Sequence, residues 1–119
     1  MAAVTQSACE NVDVIYIPTD NTVAANATIV DNLCQSAGIP VVTGDTGTCS
    51  IAGAAVLGIS YYELGQVTGR MAAKVLTGES DISSMPIAYV ENVTHQYNPL
   101  ICEVLGISVP DSYVPLNIQ

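Results

Sequence analysis

The chain has 119 residues, of which half are hydrophobic, and it contains no Phe or Trp. Its formal charge of −9 has the wrong sign for binding the phosphate backbone of nucleic acids. The size suits one domain with a core, and no apolar run reaches the roughly 18 residues that cross a bilayer. The mean hydropathy of +0.43 is high. Either the sheet is unusually well covered, or apolar surface packs against something that this chain lacks.

The first predicted unit is a strand, a turn and a helix, preceded by the end of a helix in residues 1–11. Residues 12–17 are mostly β-branched or aromatic, which is typical of a parallel strand that is covered on both faces. Asp20 is a candidate N-cap for a helix over residues 21–37, in which apolar residues recur at steps of three and four. Gly38 is placed to end that helix.

The middle of the chain repeats this alternation. Residues 39–43 predict a second strand, which leads into a polar, glycine-rich loop over residues 44–48. A helical turn or bend is expected over residues 50–55, before a third strand over residues 56–60. The glycine at position 58 indicates a close approach of two backbones.

The last third of the chain contains the clearest helix, over residues 61–76, with Gly78 as its C-cap. A fourth strand is predicted over residues 87–93, near a sheet edge, and a short helix over residues 98–105. Strands that alternate with helices predict a three-layer α/β/α fold with a mostly parallel sheet.

The sequence contains only weak matches to the motifs of enzymes. Residues 45–48 (DTGT) are close to the D-T-G-[ST] motif of aspartic proteases, but those enzymes are nearly all β and this chain has two strong helix patterns. Phosphate-loop and G-x-S-x-G patterns are missing from the sequence. We therefore predict no enzyme activity and no cofactor.

The metal-binding potential of the sequence is also weak. The four cysteines form no C-x-x-C pair, and the single histidine, His95, does not complete a zinc motif with them. We predict no metal site. Buried free thiols are the favoured interpretation of the cysteines, with one disulfide as the alternative.

Polar turns follow three successive predicted strands, at residues 19–21, 44–46 and 60–62. The carboxyl ends of parallel strands meet at one rim of a sheet, where ligands bind. Asp20 fits a helix cap and a ligand contact equally well by residue type, and the repetition of polar turns favours the ligand. These turns suit an amino-acid-like ligand. An aspartate carboxylate can pair with the ligand's ammonium group, helix N-termini can hold its carboxylate, and a tyrosine can stack on a ring.

Five segments resemble consecutive parts of the ABC-transporter substrate-binding proteins of the tryptophan/tyrosine-binding type: DVIYIPTDNTVA, GIPVVTGDTG, GISYYELGQVTGRMAAKVLTGE, SMPIAYVENVTHQYNP and LGISVPDS. The resemblance covers residues 12–109. It depends on the combination of PTDN, the G-[ED]-x-G loop and the YY-x-LG-x-x-[TA]-G-x-x-AA helix. Proteins of this family are bacterial and extracytoplasmic, and they have the type I periplasmic-binding fold.

The resemblance implies that the chain is the later part of a C-terminal lobe with flavodoxin-like strand order, without the N-terminal lobe and the first βα units. It implies a periplasmic protein or a membrane-anchored lipoprotein that delivers an aromatic amino acid, or a similar small molecule, to an ABC permease. One lobe alone is then expected to bind ligand weakly or undetectably. Self-association through exposed sheet edges is a further expectation.

The resemblance also implies which residues face the ligand. Many relatives carry Asp where this chain has Ser60, and this departure leaves the ligand's identity open. The implied ligand-binding residues are Thr19, Asp20, Asn21, Gly44, Asp45, Ser60 and Tyr61.

Two other functions stay open at the level of sequence. A periplasmic-binding-like fold also serves as the effector or sensor domain of transcriptional or signalling proteins, which would require a helix-turn-helix upstream. A flavodoxin-like enzyme or signalling domain would require a phosphate loop or an acidic metal cluster, and Asp13, Asp20 and Asp45 are not arranged as one in the predicted fold.

Overall fold

The computed structural model describes residues 1–118 and contains a mostly parallel five-stranded sheet in the order β1-β2-β3-β4-β5. The pairs β1–β2, β2–β3 and β4–β5 are parallel. The described strands thus lie in the sheet in the same order as in the sequence. In a flavodoxin-like sheet the first two strands are exchanged, which gives the order 2-1-3-4-5. The strands are β1 (Ile15–Ile17), β2 (Val41–Thr43), β3 (Ala55–Ile59), β4 (Val93–Tyr97) and β5 (Val114–Pro115).

Within residues 1–118, six helices lie between and beside these strands, which confirms the predicted α/β class. The chain divides into two compact units. The first unit comprises Met1–Gly58 and the described residues from Thr94 onward, and the second comprises Ile59–Val93. The helices are α1 (Ala2–Cys9), α2 (Asn21–Ala24), α3 (Ala27–Ala37), α4 (Thr46–Ala52), α5 (Tyr61–Leu76) and α6 (Pro99–Val104).

The single helix predicted over residues 21–37 is instead two helices, α2 and α3. The Asn26 side chain donates a hydrogen bond to the Thr22 carbonyl over 2.8 Å, which takes up an acceptor at the end of α2. Asn26 then becomes the N-cap residue of α3. The predicted end of this segment is confirmed, because Gly38 adopts a left-handed φ of 71°.

One face of the sheet in the first unit carries the main core. Ile17 and Val41 on this face are buried against α3 and α4, in a cluster that Cys9 of α1 joins. The opposite face is exposed, with Tyr16 66% and Leu57 48% accessible. Within the first unit, the prediction that β1 is covered on both faces is therefore wrong.

The fourth strand lies later than predicted. Residues 86–92 have no regular secondary structure, and the strand is β4, where Gln96 pairs with Val114 of β5. The apolar residues Ile87 and Tyr89, which suggested the strand, are 80% and 78% exposed. Strand pairing with a distant segment therefore decides the position of β4, although its own sequence is polar.

A second core cluster lies around α6. Ile101 and Cys102 of this helix pack with Ala54, and Tyr97 of β4 borders the cluster. The predicted helix over residues 98–105 is confirmed, with Asn98 as its N-cap.

The second unit is built on α5, whose bounds match the prediction. The Oγ atom of Ser60 caps its first turn, and Gly78 beyond its C-terminal end has a φ of 75°. None of its residues is fully buried. No helix within residues 1–118 is long and apolar enough to cross a membrane.

Candidate functional site

Each of the first three strands is followed by a turn whose last residue caps the next helix. The Asp20 carboxylate accepts a hydrogen bond from the Val23 N–H over 2.9 Å at the start of α2. The Asp45 carboxylate accepts from the Thr48 N–H over 2.8 Å at the start of α4. Side-chain acceptors of this kind satisfy backbone N–H groups that a helix leaves unpaired.

The turns after β1 and β2 are in direct contact. The Thr19 hydroxyl donates to the Gly44 carbonyl over 3.3 Å, and the Gly44 N–H donates to the Ile17 carbonyl over 2.8 Å. A Cβ atom on Gly44 would lie 3.0 Å from the Thr19 nitrogen. Glycine therefore permits the close approach that brings the two turns, and their two aspartates, to the same end of the paired strands.

The two aspartates differ in their availability to a ligand. Both carboxylate oxygens of Asp45 are engaged by Thr48, one by its N–H and the other by its hydroxyl over 2.8 Å. Asp20 is exposed, and the hydrogen bonds of the described residues use its Oδ1 and leave its Oδ2 without a partner. Asp20 can thus cap its helix and offer a negative charge to a ligand at the same time.

The seven predicted ligand-binding residues are divided between the two units. Ser60 and Tyr61 belong to the second unit, where the Ser60 hydroxyl accepts from the Glu63 N–H over 3.3 Å and the Tyr61 ring is exposed. Four of the other five, Thr19, Asp20, Gly44 and Asp45, lie in the two touching turns of the first unit, and Asn21 begins α2 directly after Asp20.

The polar loop predicted over residues 44–48 is shorter in the structure, because α4 begins at Thr46. Of the predicted helical turn over residues 50–55, only residues 50–52 are helical, at the end of α4, and Ala55 already begins β3. The double hydrogen bond between Asp45 and Thr48 starts the helix within the predicted loop. Only Gly44 and Asp45 therefore form the turn between β2 and α4.

A groove in the second unit was not anticipated from the sequence. It has a volume of about 400 Å³ and lies between α5 and the irregular segment that follows it. Arg70 lies on its wall with Glu63 and Glu91, and none of these residues belongs to the predicted set. The residues of the groove are scattered over two segments of sequence, so no local motif marks it.

Asn98 is a structurally important residue that the sequence marks only by its position before Pro99 at the helix start. Its side chain is buried, and its Oδ1 caps α6 by accepting from the Leu100 and Ile101 N–H groups at 3.1 and 3.2 Å. Its Nδ2 donates to the Cys49 carbonyl at 3.1 Å. One amide therefore joins α6 to α4.

The preference for buried free thiols agrees with three of the four cysteines. Cys34, Cys49 and Cys102 are buried, and Cys9 is half-buried. Burial raises the pKa of Cys49 to about 11 and also raises that of Cys102. These two thiols stay protonated and unreactive at neutral pH. No group of three or more His, Cys, Asp or Glu within residues 1–118 is arranged to hold a metal ion.

Comparison with known proteins assigns residues 1–116 to the family model described as ABC transporter substrate binding protein. A curated tyrosine-binding protein from Clostridioides difficile is 32% identical over 80 residues. That match covers 67% of this chain and 23% of the relative. The chain therefore spans about a quarter of the length of this curated relative.

Solved structures agree with this family match. A ligand-free, open substrate-binding protein with adhesive properties from Clostridium difficile is 35% identical, with a TM-score of 0.73 over 96% of this chain and 40% of that one. An ABC domain in complex with L-Trp from Streptococcus pneumoniae is 30% identical, with a TM-score of 0.78 over 93% and 37%. A conserved domain protein from Vibrio cholerae gives a TM-score of 0.80 at 28% identity, over 96% and 40%.

Proposed function

The chain belongs to the family of ABC transporter substrate-binding proteins, and we propose that it forms part of one lobe of a two-lobed, extracytoplasmic member. The whole protein would bind an aromatic amino acid between its lobes and deliver it to an ABC permease for import. Membrane attachment through a lipid would keep it near that permease.

The ligand class is supported by two relatives. One is a tyrosine-binding protein at 32% identity, and the other is an ABC domain solved with L-Trp at 30% identity. Because this chain covers 37% to 40% of the solved structures, the ligand, the permease and the location are proposals about a longer protein.

The pair of touching turns carries the proposal for the ligand contacts. The free Oδ2 of Asp20 is suited to the ammonium group of an amino acid, since a carboxylate pairs with a cation. Thr19, Asn21 and Gly44 offer hydroxyl, amide and backbone groups beside it. Asp45 contributes negative charge but holds its helix with both oxygens. Ser60 and Tyr61, which belong to the second unit, stay candidate ligand-binding residues on the strength of the resemblance alone.

Transport by this family fold would depend on closure of two lobes. A ligand that touches both lobes binds the closed state more tightly than the open state, and only this difference in affinity shifts the population toward closure. One lobe supplies only some of the contacts and leaves the ligand in water. We therefore expect the 119-residue chain alone to bind weakly or undetectably.

A thermal-shift panel of the free amino acids tests this function. It should be run side by side on the 119-residue chain and on the longer protein that carries it. We expect L-tyrosine or L-tryptophan to raise the melting temperature of the longer protein and to leave that of the chain unchanged. If no amino acid stabilises the longer protein, the proposed ligand class is wrong.

A further inference from the structure

Two cysteines from different helices lie side by side in the first unit. The Sγ atoms of Cys9 on α1 and Cys34 on α3 are 3.7 Å apart, within the range of a thiol–thiol hydrogen bond. The two residues are separated by 25 positions in the sequence. Both belong to the main core region, where Cys34 is a buried member and Cys9 packs against it.

Cys9 is the more accessible thiol of the pair. It is half-buried and lines a cavity of about 320 Å³ between α1 and α3, together with Gln6, Glu10 and Leu33. Cys34 lies behind it and is 2% exposed. A small reagent can therefore reach Cys9 from this cavity, whereas Cys34 does not line the cavity and is too buried to meet the reagent first.

The other two cysteines are more deeply buried than Cys9. Cys49 and Cys102 are 0% and 5% exposed. Their thiols donate to the backbone carbonyls of Gly53 and Ala54, over 3.3 and 3.4 Å. Each is thus held by a backbone acceptor within the core.

We propose that Cys9 and Cys34 form a redox-active pair that closes to an intramolecular disulfide, linking α1 to α3, by exchange with a low-molecular-weight disulfide. The proposal does not depend on any ligand or transport role. It fits an extracytoplasmic location, because disulfides form and persist in oxidising compartments.

The exchange proceeds in two steps, in each of which a thiolate attacks a disulfide sulfur. The Cys9 thiolate first attacks one sulfur of the external disulfide, forms a mixed disulfide and expels one external thiolate, which takes up a proton. Cys34 then loses its proton and attacks the Cys9 sulfur, which expels the second external thiolate. The two protein thiols lose two electrons in total, and the external disulfide is reduced to two thiols.

The order of the steps follows from the environment of Cys34. Burial, followed by the hydrogen bond and charge interaction with Cys9, raises the pKa of Cys34 to about 12, with a smaller contribution from Asp31. Cys34 is therefore protonated at neutral pH and does not start the exchange. Closure also requires the sulfur atoms to move from 3.7 Å to the roughly 2.05 Å of an S–S bond, so one or both side chains must rotate.

Peptide mapping after treatment of the native chain with oxidised glutathione tests the proposal. Cleavage after Asp and Glu places the four cysteines on separate peptides, namely residues 1–10, 32–45, 46–63 and 92–103. We expect peptides 1–10 and 32–45 to be joined, with a mass lower by two hydrogen atoms than their sum. A glutathione adduct on Cys9 should precede this link. A stable adduct without the link, a link between other peptides, or no reaction would overturn the proposal.

Two variants separate the steps. Cys34→Ser should accumulate the glutathione adduct on Cys9, because the second thiol is missing. Cys9→Ser should form neither adduct nor link, and its half-buried position makes this variant the less disruptive one. Circular dichroism checks that both variants are folded. If Cys34→Ser does not fold, the peptide mapping of the unchanged chain alone tests whether Cys9 and Cys34 become linked. Adduct formation on Cys34 in Cys9→Ser would contradict the proposed order.

Discussion

The Thr19 hydroxyl donates a hydrogen bond to the Gly44 carbonyl over 3.3 Å, which joins the turn after β1 to the turn after β2. The helix caps Asp20 and Asp45 follow these two residues directly in the sequence. The contact therefore fixes the relative position of two negative charges at one end of the sheet. The two aspartates have different roles, because Asp45 engages Thr48 with both oxygens while Asp20 uses only its Oδ1 for capping.

The two caps should differ in their contribution to stability. We expect Asp20→Ala to lower the free energy of unfolding by about 1 kcal/mol, the usual value for a lost N-cap. Asp45→Ala should cost more, about 2 kcal/mol, since it leaves both the N–H and the hydroxyl of Thr48 without an acceptor. Urea unfolding of the two variants measures the difference. An equal loss in both would contradict the assignment of a mainly structural role to Asp45.

Gly44 should tolerate no side chain. In Gly44→Ala the new Cβ would lie 3.0 Å from the backbone nitrogen of Thr19, so the two turns must separate. We expect a loss of about 1 to 3 kcal/mol, typical of overpacking. Gly65→Ala is the matched control, because a Cβ at this helical position meets nothing within 4 Å. It should stabilise the chain by up to about 1 kcal/mol. In thermal unfolding, the melting temperature should be lower for Gly44→Ala and higher for Gly65→Ala than for the unchanged chain.

Asn98→Asp should be more harmful than its small change in size suggests. The variant replaces the Nδ2 donor to the Cys49 carbonyl with an acceptor in a buried position. We expect a loss of about 3 kcal/mol at neutral pH, where the new carboxyl group is ionised. Burial should raise its folded-state pKa, so the loss should shrink as the pH falls and the group is protonated. A loss that does not depend on pH would contradict this explanation.

Asp81 should titrate below its usual range. The hydroxyl and the N–H of Ser83 donate to its carboxylate and lower its pKa. Because the folded-state pKa is depressed, the associated stabilisation is present above the unfolded-state pKa and is lost as the pH falls through the folded one. Ser83→Ala should move the pKa of Asp81 upward, as measured by NMR titration of the carboxyl group. An unchanged pKa in this variant would exclude the Ser83 hydroxyl as a cause and leave only the Ser83 N–H.

Local patterns predicted those elements whose determinants are local. The bounds of α5 follow from its own apolar spacing, and the cap Asp20 follows from residue type. Elements that depend on distant partners were less predictable. The polar strand β4 lies between β3 and β5 in the sheet and pairs with its neighbours, while the apolar residues around Ile87 have no such partner in the described structure.

The same distinction holds for the candidate site. Residue type marked Asp20 and Asp45 as polar groups after strands, but it could not assign one to a structural role and the other to a partly free one. That assignment needs the positions of Thr48 and Thr19, which depend on the folding of two turns against each other. The thiol pair is likewise invisible in the sequence, because Cys9 and Cys34 meet only when α1 packs on α3.

The most direct test of the proposed function is calorimetric titration of L-tyrosine and L-tryptophan into the longer protein that carries this chain, unchanged and as Asp20→Asn. The asparagine keeps a side-chain oxygen for capping α2 and removes only the negative charge. We expect one of the two amino acids to bind the unchanged protein, and its affinity to fall at least tenfold in Asp20→Asn without a loss of thermal stability. Equal affinity in both proteins would contradict the role of Asp20, and failure of both amino acids to bind would contradict the ligand class.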